Sequence, residues 1–206
     1  MSKILNFSNQ NNDKKANLFK HHRLKRAQSI AEFGPALWLM FIGILFPMLS
    51  LGTVVIRYSI FHTTAYMALR NAVQSRTFLN NTNNGSGVTI LSALNAARQT
   101  ANNFQHGFTG INFNAYSNNL QLYIVMVTQS SPGVYNETIY AANAPLTVAS
   151  NQQAIYNLKI VLNGTINPIV QLPNNLFGNI PGLTAPLPLV ATNQMIFDNS
   201  VTGLMN

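Results

Sequence analysis

No cysteine occurs in the chain, which excludes disulfides and thiolate metal sites and leaves the redox compartment open. Acids are nearly as scarce, with four Asp and Glu against twelve Lys and Arg in 206 residues. Beyond position 80 only Arg98, Glu137, Lys159 and Asp198 carry charge, and His106 is the one histidine there. Paired-carboxylate and metal-assisted catalysis therefore lack raw material, and no Walker loop, G-x-S-x-G or H-E-x-x-H motif is present. The expectation is a protein that is not an enzyme, with no catalytic residue, no metal site and no cofactor. The few charges are also unevenly placed. Seven Lys and Arg against one Asp give residues 1–27 a net +6, which leaves +2 for the other 179. The basic balance thus belongs to a polar N-terminal leader, and no basic folded surface remains for nucleic acid.

Long apolar runs are absent too, except for one. Residues 34–56 hold 23 positions without a charge, among them Trp38, Met40, Phe41, Ile42, Ile44, Leu45 and Phe46. As a helix this run is roughly 34 Å long, enough for the ~30 Å hydrocarbon core of a bilayer. It has no polar face, so it is expected to be a membrane helix and not a soluble one. The basic residues before it predict a cytoplasmic N-terminus and an extracytoplasmic C-terminal part. A secretory signal would have an apolar core of about 7–15 residues and a small-residue exit site. The run here is longer, and Arg57-Tyr58-Ser59 is a poor exit.

Ser29 and Glu32, just ahead of the run, fit the S-x-x-E capping box, and an acid in a first helical turn favours the helix dipole. Yet a carboxylate at the entrance of a membrane helix is uncommon. The whole pattern is a basic leader, then Ala27, then Gln28-Ser29-Ile30-Ala31, then Glu32-Phe33 and the apolar helix. It resembles the class III signal of type IV pilin-like proteins, most closely the TadE-like minor pseudopilins of tight adherence (Flp-type) pili. The resemblance implies a prepilin peptidase cut between Ala27 and Gln28, with Ala27 standing where Gly is usual. It also implies that Glu32, beside Phe33, sets register between subunits by pairing with the new α-amine of a neighbour. That amine is largely cationic at neutral pH, and the pair would attract strongly in low dielectric. Other pilin-like subunits, the prepilin peptidase, an inner-membrane pilus assembly platform and the lipid bilayer are the partners so implied. The implied location is a bacterial inner membrane.

Further along, Pro47 lies deep in the apolar run and is expected to kink it, freeing the carbonyl of Gly43. The helix is predicted to continue as an amphipathic rod to Phe78, with Phe61, Ala65, Ala68, Leu69, Ala72 and Val73 on one stripe. Residues 80–87, rich in Asn and Gly, are a linker or turn. A second helix should carry Ile90, Leu94, Ala97, Ala101 and Phe104 on one face and end near Gly107 or Gly110. Alternation predicts strands at 120–127 and 154–163, and a third at 189–197. Residues 130–150 are a looser stretch with turn signals at Pro132-Gly133 and Pro145. Residues 167–188, with five prolines and two glycines, form a long surface loop.

The predicted fold class is α+β: a long N-terminal transmembrane and amphipathic helix with a small antiparallel-sheet head, pilin-like. The expected segments are a leader at 1–27, the helix at 28–79 and the head at 80–206. Two functions remain open, a minor pilin-like subunit for pilus assembly or initiation, or a permanently anchored extracytoplasmic binding module.

Overall fold

The structure, a computed structural model, describes residues 33–83, 85–145, 154–169 and 171–197. They divide into two compact units, with the division between Leu49 and Ser50 inside one helix. That helix, α1, runs Phe33–Val73. Its first part, Phe33 to Leu49, holds the described residues of the first unit, none of whose side chains is buried.

The second unit is α+β. After α1 come a small hairpin, β1 (Thr82–Asn83) and β2 (Thr89–Ile90), and the helix α2 (Ala93–Gly107). Next are β3 (Ile111–Asn112), β4 (Leu120–Ser131) and β5 (Val134–Ile139). β6 (Ala154–Ile166), the single turn α3 (Asn174–Phe177) and β7 (Leu187–Ile196) complete it. All sheet pairings are antiparallel. β6 is central: β7 pairs along one side, and β4 followed by β3 takes the other, with β5 outside β4.

Alternation explains the layering. Leu120, Leu122 and Ile124 of β4 face the same way as their partners Leu162, Ile160 and Leu158 of β6, and Ala191 of β7 extends the row. All seven are buried in one core with Phe61, Ala65, Ala68, Leu69, Ala72 and Val73 of α1 and Ala93, Leu94, Ala97 and Ala101 of α2. Both helices therefore cover one face of the sheet, as an antiparallel sheet with a single apolar face requires. The α1 stripe is the one expected from the sequence. Its alanines keep the backbone close to the sheet, and Phe61 fills the remaining space. A Cβ on Gly164 of β6 would come within 2.7 Å of the Phe61 ring, so this strand position has to be bare.

Three features differ from expectation. α1 ends at Val73, five residues before Phe78. Phe78 leaves the helix to be buried completely, and the carbonyls of Thr77 and Phe78 accept the amides of Ala93 and Leu94 at the start of α2. β1 and β2 pair on either side of the expected turn, so Ile90, expected on the second helix, lies in β2 ahead of α2, which Ser92 caps by accepting from the Asn95 amide. The looser stretch contains β5, paired with β4 across the Pro132-Gly133 turn, Gly133 having φ 83. β5 is exposed on both sides, so it carries no alternation of burial for the sequence to betray.

Candidate membrane-embedded segment

Ala27, Gln28 and Glu32 lie outside the described residues. Phe33 opens α1 as an exposed side chain. From there to Ile56 most of the large apolar side chains point outward: Leu39 is 74% exposed, Trp38 69% and Met48 66%. Stable soluble helices turn such side chains into a core, so this surface calls for a non-aqueous environment. α1 is the one helix among the described residues long and apolar enough to cross a membrane.

Pro47 sits within it, half-buried. A π-helical turn, Phe41–Leu45, lies immediately upstream and contains Gly43, whose α-helical donor Pro47 removes. A widened turn of this kind is one of the ways a helix absorbs such a loss. The break expected at Pro47 is thus a change of helical register spread over the preceding turn.

Where the apolar run ends, α1 acquires partners on one side only. Ser50, Val54 and Phe61 are buried and Arg57 is half-buried, at helical spacing, while Leu51, Val55, Ile56 and Tyr58 stay exposed. Val54 packs against Gly182, where an added Cβ would sit 3.6 Å from its Cγ2. The Arg57 guanidinium donates to the carbonyl of Asn167, just past β6. It also fills the space over Gly110, where a Cβ would overlap it and where φ is 84. The Asn167 amide in turn donates to the Gly110 carbonyl at 2.9 Å. The first charge after the apolar run is therefore held by the folded unit instead of reaching freely into water. A charge after the run was legible in the sequence; its acceptor, 110 residues away, was not.

An open cleft of about 440 Å³ lies nearby, lined by Gln105, Asn112, Asn114, Asn119, Asn163 and Thr165. Carboxamides and a hydroxyl can donate and accept hydrogen bonds, but none carries a proton to or from a substrate at neutral pH. His106, at the end of α2, is exposed and has its Nδ1 2.8 Å from the Asn102 carbonyl. His62 is half-buried against Tyr58, their ring centroids 4.4 Å apart.

Compared with known proteins, the chain matches no family model, no curated protein and no solved structure.

Proposed function

We propose that the chain is a single-pass membrane protein of TadE-like, pilin-like character, acting as a minor subunit in assembly or initiation of a tight adherence type IV pilus. The observation that carries this reading is the outward-facing apolar helix described from Phe33 onward, in a sequence where a basic leader and the Ala27-Gln28…Glu32-Phe33 pattern lead into the apolar run. The positive-inside bias puts residues 1–27 in the cytoplasm and the folded unit on the other side. The first part of α1 is then the element handed from bilayer to filament, where the same apolar surface packs against other subunits. The second part of α1, with its stripe buried on the sheet, fixes the folded unit to that helix.

In this reading a prepilin peptidase frees Gln28, and Glu32 meets the resulting amine of a neighbour during docking on the assembly platform. Removing a carboxylate and an amine from water together lets each offset the other's desolvation, which an isolated buried charge lacks. Mass spectrometry of membrane and sheared-filament fractions tests it. A chain beginning at Gln28 and recovered with filaments is the expected result. An intact Met1 end with no chain in filaments would replace the pilin-like role with that of a permanently anchored extracytoplasmic module, Glu32 then serving only to cap the helix.

A further inference from the structure

We infer that residues 167–169 and 171–186 form a second, shallow membrane contact next to Val54 and Arg57 of α1. The inference rests on the reading of α1 as membrane-spanning, and it concerns a segment that neither the helix pattern nor the leader involves.

Depth comes first. A hydrocarbon core of ~30 Å takes about 20 helical residues, so a span starting at Gly34 reaches the far interface near Thr53. The loop that follows β6 is packed at this level, because Gly182 lies against Val54 and Val54 is buried although it belongs to the apolar run. Asn167, at the start of the loop, is held by Arg57, less than one turn further on. The rest of the sheet extends away from this end: Met195 and Ile196 line a cleft with Arg70, Val73 and Gln74, some four turns later in α1.

Composition comes next. Residues 167–186 contain no Asp, Glu, Lys or Arg. Ile169 is 58% exposed and Ile180 41% exposed, although Leu172 beside them is buried. Exposed apolar side chains on an uncharged loop that packs on Val54, in a helix whose Leu51, Val55 and Ile56 are also exposed, suit the interface where acyl chains meet glycerol and headgroups.

Irregular backbone near lipid is tolerated only where its polar groups find partners within the protein. Several groups of this loop meet that condition. The Leu172 amide donates to the Leu183 carbonyl and the Gly182 amide to that of Ala185. The amides of Leu183 and Thr184 both donate to the Ile180 carbonyl. The fully buried Thr184 accepts the Ile180 amide on its Oγ1 at 2.7 Å, and its carbonyl accepts Gln171 Nε2 at 2.9 Å. Pro168, Pro173, Pro181 and Pro186 have no amide hydrogen to satisfy.

The absence of cysteine makes the test direct. Single cysteines at Ile169→Cys, Ile180→Cys, Leu45→Cys and Tyr135→Cys in the full chain are spin-labelled and reconstituted in phosphatidylcholine vesicles. Collision with oxygen, which concentrates in lipid, is compared with collision with a water-soluble nickel chelate. The expected oxygen-to-nickel ratio is highest at Leu45, lowest at Tyr135 on β5, and intermediate at Ile169 and Ile180, several-fold above Tyr135. A ratio at Ile169 and Ile180 equal to that at Tyr135, with Leu45 still deep, overturns the loop contact and leaves the spanning helix standing. Shielding of Ile180 from both reagents means that protein covers it, and also overturns the contact. A water-exposed Leu45 removes the spanning helix and this inference together.

Discussion

Arg57 shows how one side chain joins sequence-distant parts of the fold. Its guanidinium occupies the space over Gly110 and reaches Asn167, so the helix, the turn before β3 and the end of β6 meet at a single cation. Gly110→Ala adds a Cβ where that cation lies and imposes a positive φ on an alanine. It should lower stability by about 1–3 kcal/mol, read as a shift of the denaturant midpoint in detergent or bilayer discs. Asn143 has a similar joining role. In the left-handed region with φ 56, it donates its amide to the Leu122 carbonyl and accepts the Leu122 amide on Oδ1, both at 2.9 Å. It thereby continues the pairing of β4 beyond the end of β5. Asn143→Ala removes the acceptor and the residue type that tolerates this backbone, and a loss of about 1–3 kcal/mol is expected by the same measurement. At Glu32 the two readings of the residue diverge in a measurable way. Glu32→Ala should abolish recovery in sheared filaments while leaving membrane insertion unchanged, whereas a cap alone would cost about 1 kcal/mol and leave filament recovery intact.

Among the elements, β6 and β5 are opposites. β6 is hydrogen-bonded on both sides and its Leu158, Ile160, Leu162 and Ile166 are fully buried, while β5 is an edge with all six residues exposed. Amide hydrogen exchange should therefore be slowest in β6 and fastest, among the strands of the large sheet longer than two residues, in β5. Equal protection in the two would mean that something covers the β5 edge. The contact between α1 and the sheet depends on Phe61, whose ring lies on Gly164 and meets Phe113 edge-on at 6.0 Å. Phe61→Ala should cost about 3–5 kcal/mol, because a ring that large leaves a cavity the rigid sheet cannot close. Such a loss would act on the folded unit and leave membrane partitioning of the first part of α1 unaffected.

For the whole molecule, attachment to a bilayer through an apolar helix makes a specific prediction about extraction. Electrostatic attachment weakens within a Debye length of salt, about 3 Å at 1 M, whereas hydrophobic insertion does not. The chain should stay in the membrane fraction through high salt and alkaline carbonate and leave it only with detergent. Release by salt alone would contradict the spanning helix.

The sequence by itself determined what depends on local pattern. The uncharged run, the stripe Phe61–Val73 and the alternation in β4 and β6 are each set by side-chain period along one element, so they were readable without knowing the neighbours. Tertiary structure decided what has no period. β5 is polar enough to pass for a loop and becomes a strand only because β4 offers it an edge. The helix stops at Val73 because burying Phe78 and joining α2 outweigh another helical turn. Proline spacing marked residues 167–188 as a loop, but its place beside Val54 follows from Arg57, Gly110 and Gly182, three positions that meet only when the chain has folded.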